Sequence, residues 1–260
     1  MTIDAGPSHA ASVEERFALA GRRALITGGT EGIGLSAALA LAQAGAEIVV
    51  HGLPAPEAEE AIRLLDLNRF RATVITGDLS TTAGVNALMQ SAGPIDILIS
   101  CVATQVLQDL GSVSDDAMDL QFQLNFKSSV HLLQAVLPRM REQRWGRIIM
   151  IGSVQEMKPH PRMMTYAALK AAQENLVRNI AQQVAADGIT ANNVAPGVIL
   201  TRRSRPLLAD ADYSAMRLNA IPARSFGEAQ DVAGLILLLS SEAGRYITGA
   251  SIPVDGGMSL

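Results

Sequence analysis

From about residue 17 onward, short apolar runs alternate with longer stretches in which apolar positions recur at helical spacing. The runs are RALIT (23–27), EIVV (47–50), RATVIT (71–76), IDILIS (95–100), RIIMIG (147–152), ITANNVA (189–195) and ASIPV (250–254). They are almost uniformly apolar rather than alternating with polar residues, the pattern of parallel strands covered on both faces. Helices are predicted between them at 32–44, 56–67, 82–91, 115–140, 164–186 and 228–241. Ser114 before DDAM reads as an N-cap with acids complementing the helix dipole, and Gly188 reads as the residue that ends the fifth of these helices. Strand and helix in turn predict an α/β, doubly wound sandwich. Residues 1–16, rich in Ala and Ser, read as a loose tail, and 17–260 as a single domain without internal repeat or linker.

Composition narrows the partners. Hydrophobic residues make up 48% of the 260 and mean hydropathy is +0.22, yet no apolar run nears the ~20 residues of a membrane span. The surplus points to buried contacts between subunits. Net charge is −4 and aromatic residues are 3%, so phosphate neutralisation and base stacking have little to work with, and no nucleic-acid partner is expected. Cys101 is the single cysteine, which excludes an internal disulfide, and the N-terminus lacks the order of a secretory signal. A cytoplasmic protein is expected. His9, His51, His131 and His160 are scattered without the spacing of a zinc site, so no metal is expected.

Four stretches carry candidate chemistry. TYAALK (165–170) sets Tyr166 and Lys170 four residues apart, on one face of a helix, where an ammonium would favour ionisation of a phenol. An isolated pair at this spacing also reads as a ring packed on a lysine stem. TGGTEGIG (27–34) follows the first strand and opens a helix. Gly28, Gly32 and Gly34 would let the backbone turn tightly and approach a pyrophosphate at the helix N-terminus. Asp78, with Leu79, ends the third strand, placed either to accept from an adenine amino group or to cap the next helix. PGVILT (196–201) follows the sixth strand as a turn or as a ligand-binding segment.

With these motifs in this order, and with Ser153 thirteen residues before Tyr166, residues 17–258 resemble the short-chain dehydrogenase/reductase family, in its branch of roughly 250-residue subunits. The resemblance implies a Rossmann-like, seven-stranded parallel sheet, a nicotinamide dinucleotide, and a homotetramer, with a homodimer as the alternative. It implies a catalytic set of Asn125, Ser153, Tyr166 and Lys170. Tyr166 would be the general acid/base, its pKa lowered by Lys170, which would also hold the nicotinamide ribose. Ser153 would bond the substrate oxygen, and Asn125 would keep a water in the proton path.

The same resemblance places the cofactor against Gly28, Thr30, Glu31, Gly32, Ile33 and Gly34, against Gly52 and Leu53 after the second strand, and against Asp78 and Leu79. Ser100 and Val102 would meet it after the fourth strand, with Pro196, Gly197, Ile199 and Thr201 at the nicotinamide. Two departures stand out. SCVA (100–103) replaces the usual NNAG, so that a methyl at Ala103 faces the ribose. Gly52 and Leu53 stand where an Asp would read NAD or an Arg would read NADP, and Glu31 would repel a 2′-phosphate. His51, if charged, would partly compensate. NAD or NADP is implied, with a slight lean to NAD.

The segment after Thr201, with Arg202, Arg203 and Arg205, reads as a lid over the substrate or as solvated charge. Gln155, Met157 and His160, together with Ser153 and Tyr166, are the candidate substrate contacts. Their mixed polarity favours a small secondary alcohol or ketone such as a sugar, polyol or hydroxy acid. Rivals are a 3-oxoacyl-[acyl-carrier-protein] reductase, docking its acidic carrier on Arg139, Arg141 and Arg144, and a non-catalytic dinucleotide-binding regulator. An enoyl reductase would carry a wider Tyr-to-Lys spacing.

Overall fold

The first apolar run forms β1 (Arg23–Thr27), buried at all but its first position, and it takes the centre of the sheet. The structure, a computed structural model, describes residues 11–260. β2 (Glu47–Gly52) and β3 (Ala72–Thr76) extend the sheet on one side of β1. On the other side lie β4 (Ile97–Ser100), β5 (Gly146–Ile151), β6 (Ile189–Pro196) and, after a short ladder of β7 (Ile199–Leu200) with β8 (Gly227–Glu228), β9 (Ser251–Val254). The order is β3-β2-β1-β4-β5-β6-β9 and every pair is parallel. All seven expected strands form, and the chain reverses direction across the sheet between β1 and β4.

Successive strand residues point to opposite faces, so each run feeds two cores. Ile26, Ile48, Val50, Ile97, Ile99 and Ile149 pack with α2 (Gly32–Gln43) and α10 (Ala229–Ser240). Leu25, Val49, Leu98, Ile148 and Met150 pack with α4 (Thr82–Ala92), α6 (Ser128–Glu142) and α7 (Met164–Val184). α3 (Pro56–Leu67) closes the edge beside β3, where the strand is only partly buried. Burying this much apolar surface, at about 25 cal/mol per Å², is what holds the layers together.

Four features depart from the expected pattern. Part of the expected tail is helical: Ser12 caps α1 (Val13–Phe17) in a capping box with Glu15, while residues 1–10 lie outside the described residues. The helix expected at 115–140 is α5 (Asp115–Phe122), a π turn at Gln123–Lys127, and then α6. Ser114 does cap α5, through the Ala117 amide. The expected lid contains two short helices, α8 (Arg205–Leu208) and α9 (Ala211–Asn219). Finally, Arg147 in β5 is buried, bonded to Glu242 at 2.9 Å and set against the Trp145 ring, which ties the sheet to the end of α10.

Candidate active site

A cleft of about 700 Å³ opens at the carboxyl ends of the strands, across the switch between β1 and β4. At one end lies the turn from β1 into α2. Gly28, at φ +62°, leaves room for the loop after β4: a Cβ there would stand 3.1 Å from the Val102 backbone. A Cβ on Gly34 would meet the Gly28 carbonyl at 2.2 Å. Glu31, at the N-cap of α2, makes no side-chain cap bond, which leaves first-turn N–H groups available to an anion. Thr30, Glu31, Gly32 and Ile33 all line the cleft, and Thr201 closes over Gly32 from the other side. This bare glycine cradle at a helix N-terminus fits a dinucleotide pyrophosphate.

Beyond the cradle, the end of β2 is crowded rather than charged. A Cβ at Gly52 would lie 2.4 Å from Thr30 Cγ2, so the position usual for an acidic ribose ligand is filled by Thr30. Leu53 is exposed at the rim. His51 supplies no cation: it is buried, burial lowers its pKa, and Nε2 pairs with the Gly77 carbonyl at 3.1 Å. Its Nδ1 has no partner among the described residues. Asp78 lines the cleft with Leu79, but its carboxylate takes the Ser80 amide and hydroxyl, each at 2.8 Å, and these bonds hold its pKa down. The cap of α4 is Thr81, so Asp78 shapes the turn and does not cap the helix.

At the other end stand Ser153, Tyr166 and Lys170. Ser153 follows β5 and caps a short 3-10 turn (Val154–Glu156), its hydroxyl accepting from the Gln155 amide at 3.2 Å. Tyr166 and Lys170 occupy successive turns of α7 and are both buried. The expected lowering of the phenol by its amine is not what the structure shows. Burial raises Tyr166, opposed by the Arg203 charge and by Ser153, while burial lowers Lys170 to about 8. The reason is geometric: Lys170 Nζ lies 5.7 Å from the ring centre and donates to the Ile151 carbonyl at 2.6 Å and to Gln173 Oε1 at 3.2 Å.

Asn125 sits in the π turn and clamps Thr104: Oδ1 accepts from its amide and Nδ2 donates to its carbonyl, both at 2.7 Å. Its side chain braces the loop after β4 and does not line the cleft. Pro196, Gly197, Ile199 and Thr201 do line it, as does Val102. Ser100 does not, because its hydroxyl turns inward to Ser129 at 3.0 Å. Gln155 reaches the cleft, whereas Met157 and His160 do not. The His160 amide is held by Gln155 Oε1 at 2.6 Å, and Met157 faces outward. Cys101 lines the cleft with its thiol pushed up to about 11 by burial, too high for a nucleophile.

The lid contributes Arg202, Arg203, Ser204, Tyr213 and Arg217 to the lining. Arg202 pairs with Glu57 at the start of α3, and Arg203 donates to the Ala103 carbonyl. Glu31, Asp78 and Glu57 stand toward the glycine turn, where Arg202 offsets Glu57, while the charge of Arg203 bears on Tyr166 and Lys170. Sequence reasoning missed Glu156, Gln173 and Asn193, which lie behind the wall formed by Ser153, Tyr166 and Lys170. Ser153 followed three residues later by Glu156 is a capping-box signature, and it was the available signal for the first of them.

A family described as enoyl-(acyl carrier protein) reductase matches residues 28–259. Over 248 residues the chain is 32% identical to gluconate 5-dehydrogenase of Gluconobacter oxydans, covering 94% of this chain and 97% of that protein. It superposes with TM-score 0.91 on a 3-oxoacyl (acyl-carrier-protein) reductase from Agrobacterium tumefaciens with NADP bound, at 32% identity, covering 96% and 98% of the two chains. A gluconate 5-dehydrogenase from Burkholderia cenocepacia in complex with NADP and tartrate is 34% identical, with TM-score 0.89 and coverage of 95% and 99%.

Proposed function

Because the chain belongs to the short-chain dehydrogenase/reductase family and is an NAD(P)-dependent oxidoreductase, we propose that it interconverts a secondary alcohol and its ketone on a small polyhydroxylated acid, with Tyr166 as acid/base. The observation that carries this reading is the pairing of Ser153, Tyr166 and Lys170 on one wall with cationic Arg203 on the lid above them.

The bound dinucleotide supplies or accepts the hydride. The chain's own residues do the rest. Ser153 donates to the substrate oxygen and fixes it beside the phenol. Tyr166, kept protonated near neutral pH by burial, gives its proton to that oxygen in reduction and takes one in oxidation, so oxidation gains with rising pH. Lys170, whose ammonium faces the Tyr166 ring at 5.7 Å, would hold the nicotinamide ribose and so orient the cofactor beside the phenol. Asn125 holds the Thr104 wall in place. Arg203 takes the substrate carboxylate.

NAD and NADP both stand as cofactors. The lean to NAD finds no support in the solved relatives, which hold NADP, even though no base occupies the position of Leu53. The carrier-protein reading is weaker on this surface: Arg141 and Arg144 share the one carboxylate of Asp187, and Arg139 stands beside Glu142, so the positive charge of the patch is reduced. A regulator without turnover is a poor match to a complete acid/base set. We further place the protein in the cytoplasm, on its single cysteine, and assign it as a homotetramer, on exposed Met118, Leu120 and Phe122 along α5.

The experiment is a panel of sugar acids, polyols and 3-oxoacyl thioesters with both cofactors, followed by nicotinamide absorbance, for the unaltered protein and Tyr166→Phe. Turnover of a hydroxy or keto acid that Tyr166→Phe abolishes, with cofactor still bound, is expected. Turnover of 3-oxoacyl carrier substrates alone would overturn the substrate class. Unchanged activity in Tyr166→Phe would overturn the mechanism.

A further inference from the structure

A half-buried carboxylate that the reaction as described does not use lies behind the wall of Ser153, Tyr166 and Lys170. Glu156 Oε1 accepts from Ser251 Oγ at 2.7 Å and from Asn193 Nδ2 at 2.9 Å, and Oε2 faces the Ser153 amide at 3.4 Å. The carboxylate is tucked under the strand end that delivers Ser153: a Cβ on Gly152 would stand 2.6 Å from Oε2 and 2.5 Å from Asn193 Nδ2. From Asn193 the bonds continue. Gln173 Nε2 donates to Asn193 Oδ1 at 3.2 Å, and Gln173 Oε1 accepts from Lys170 Nζ at 3.2 Å.

The direction of this chain is chemically fixed. An ammonium only donates, so Gln173 must present oxygen to Lys170 and nitrogen to Asn193. Asn193 must then present its own nitrogen to Glu156, which an ionised carboxylate accepts. Both amide dipoles point the same way, from cation to anion, in surroundings of low dielectric where such alignment strengthens each bond. Gln173 and Asn193 are almost wholly buried.

We propose that Glu156 is a positioning residue of the catalytic centre: through the buried amides of Asn193 and Gln173 it is the counter-charge of Lys170, and it steadies the backbone that carries Ser153. Its charge raises Lys170 against the burial that dominates there, and raises Tyr166 in the same direction as burial does. Burial raises Glu156 itself, and the donors from Ser251, Asn193 and Ser153 oppose this. The other charged or titratable groups facing this set are Cys101 after β4, Arg203 on the lid and Glu174 on α7.

The test is Glu156→Gln in the full chain. Removing the negative charge lowers the pKa of Lys170 and of Tyr166 together, so the alkaline limb of kcat for ketone reduction is expected to move to lower pH by about half a unit or more. A ~10-fold fall in kcat near neutral pH with KM for ketone nearly unchanged is expected beside it. Glu156→Asp is expected to recover part of the shift. Gln173→Met, which takes an acceptor from Lys170 and leaves the carboxylate, is expected to move the limb in the same direction and keeps the test open if Glu156→Gln folds poorly. A limb that stays in place in both variants, whatever the rate, would overturn the inference.

It rests on Tyr166 and Lys170 being the reacting pair, so Lys170 should also be titrated without turnover, by NMR of the reductively methylated protein. A Lys170 pKa that falls in Glu156→Gln supports the inference even where no substrate has been found. A pKa unchanged by the substitution overturns it while leaving the dehydrogenase reading intact.

Discussion

The Lys170 ammonium nitrogen lies 5.7 Å from the centre of the Tyr166 ring and 2.6 Å from the Ile151 carbonyl, so the amine addresses the face of the phenol and the end of β5 at once. One turn of helix brings the two side chains together, and the strand end decides where the charge points. The arrangement is costly to hold, and that cost can be measured.

Burial lowers Lys170 to about 8 from an ordinary 10.5. Between those values the unfolded chain carries a proton that the folded chain does not, so the contribution of this group to stability rises with pH across that window. Lys170→Met is expected to abolish turnover while raising the melting temperature near neutral pH, and the gap to the parent should close as pH climbs past 8. Paired thermal melts across this range check it. A gap that does not change with pH would assign the effect to packing instead.

Cofactor choice is expected to turn on the end of β2. Leu53→Arg places a guanidinium at the exposed rim and should raise the NADP-to-NAD ratio of kcat/KM by about 10-fold. Gly52→Asp should weaken both cofactors, because its Cβ would stand 2.4 Å from Thr30 Cγ2. Pairing Gly52→Asp with Thr30→Gly removes that obstruction and should recover NAD binding. Titration of each variant with both dinucleotides reads the outcome.

Arg203 should discriminate by charge. Arg203→Ala is expected to raise KM for acid substrates by ~10-fold or more while leaving a neutral polyol nearly unaffected, because a charge-assisted pair is lost only with the acid. Steady-state kinetics on a matched acid and polyol check this, and equal losses on both would place Arg203 on the cofactor rather than the substrate.

Away from the cleft, Arg147→Ala should destabilise the fold by about 1–3 kcal/mol, since it removes the buried side chain that bonds half-exposed Glu242 and packs the Trp145 ring. Urea unfolding measures it. The folded fraction should keep its activity, because Arg147 stands at the opposite end of β5 from Ser153.

The sheet was legible because the strand runs are short, apolar on both faces and evenly interrupted, and all seven formed where that pattern put them. The glycine turn was legible for the same reason as its function: only residues without a side chain fit between Gly28, Val102 and Gly34. What escaped depends on contacts distant in sequence. Thr30 fills the space beside Gly52, Ser129 claims Ser100, and the Ile151 carbonyl draws Lys170 away from the phenol hydroxyl. Met157 and His160 sit one short turn past Ser153, and the 3-10 geometry there sends Gln155 inward and those two aside. The lid helices were hidden by their length, four and nine residues with no buried positions to set a period.

The loosened coil at Gln123–Lys127 has a consequence for how this chain can vary. A turn that accommodates one residue too many leaves α5 and α6 about 100° out of phase with a single regular helix. Deleting any one residue there would restore the regular winding and rotate one of the two helices off its neighbours, taking Asn125 and the Thr104 loop with it. At this point the number of residues constrains the protein more tightly than their identity, and a lost codon should do more harm than most exchanged ones.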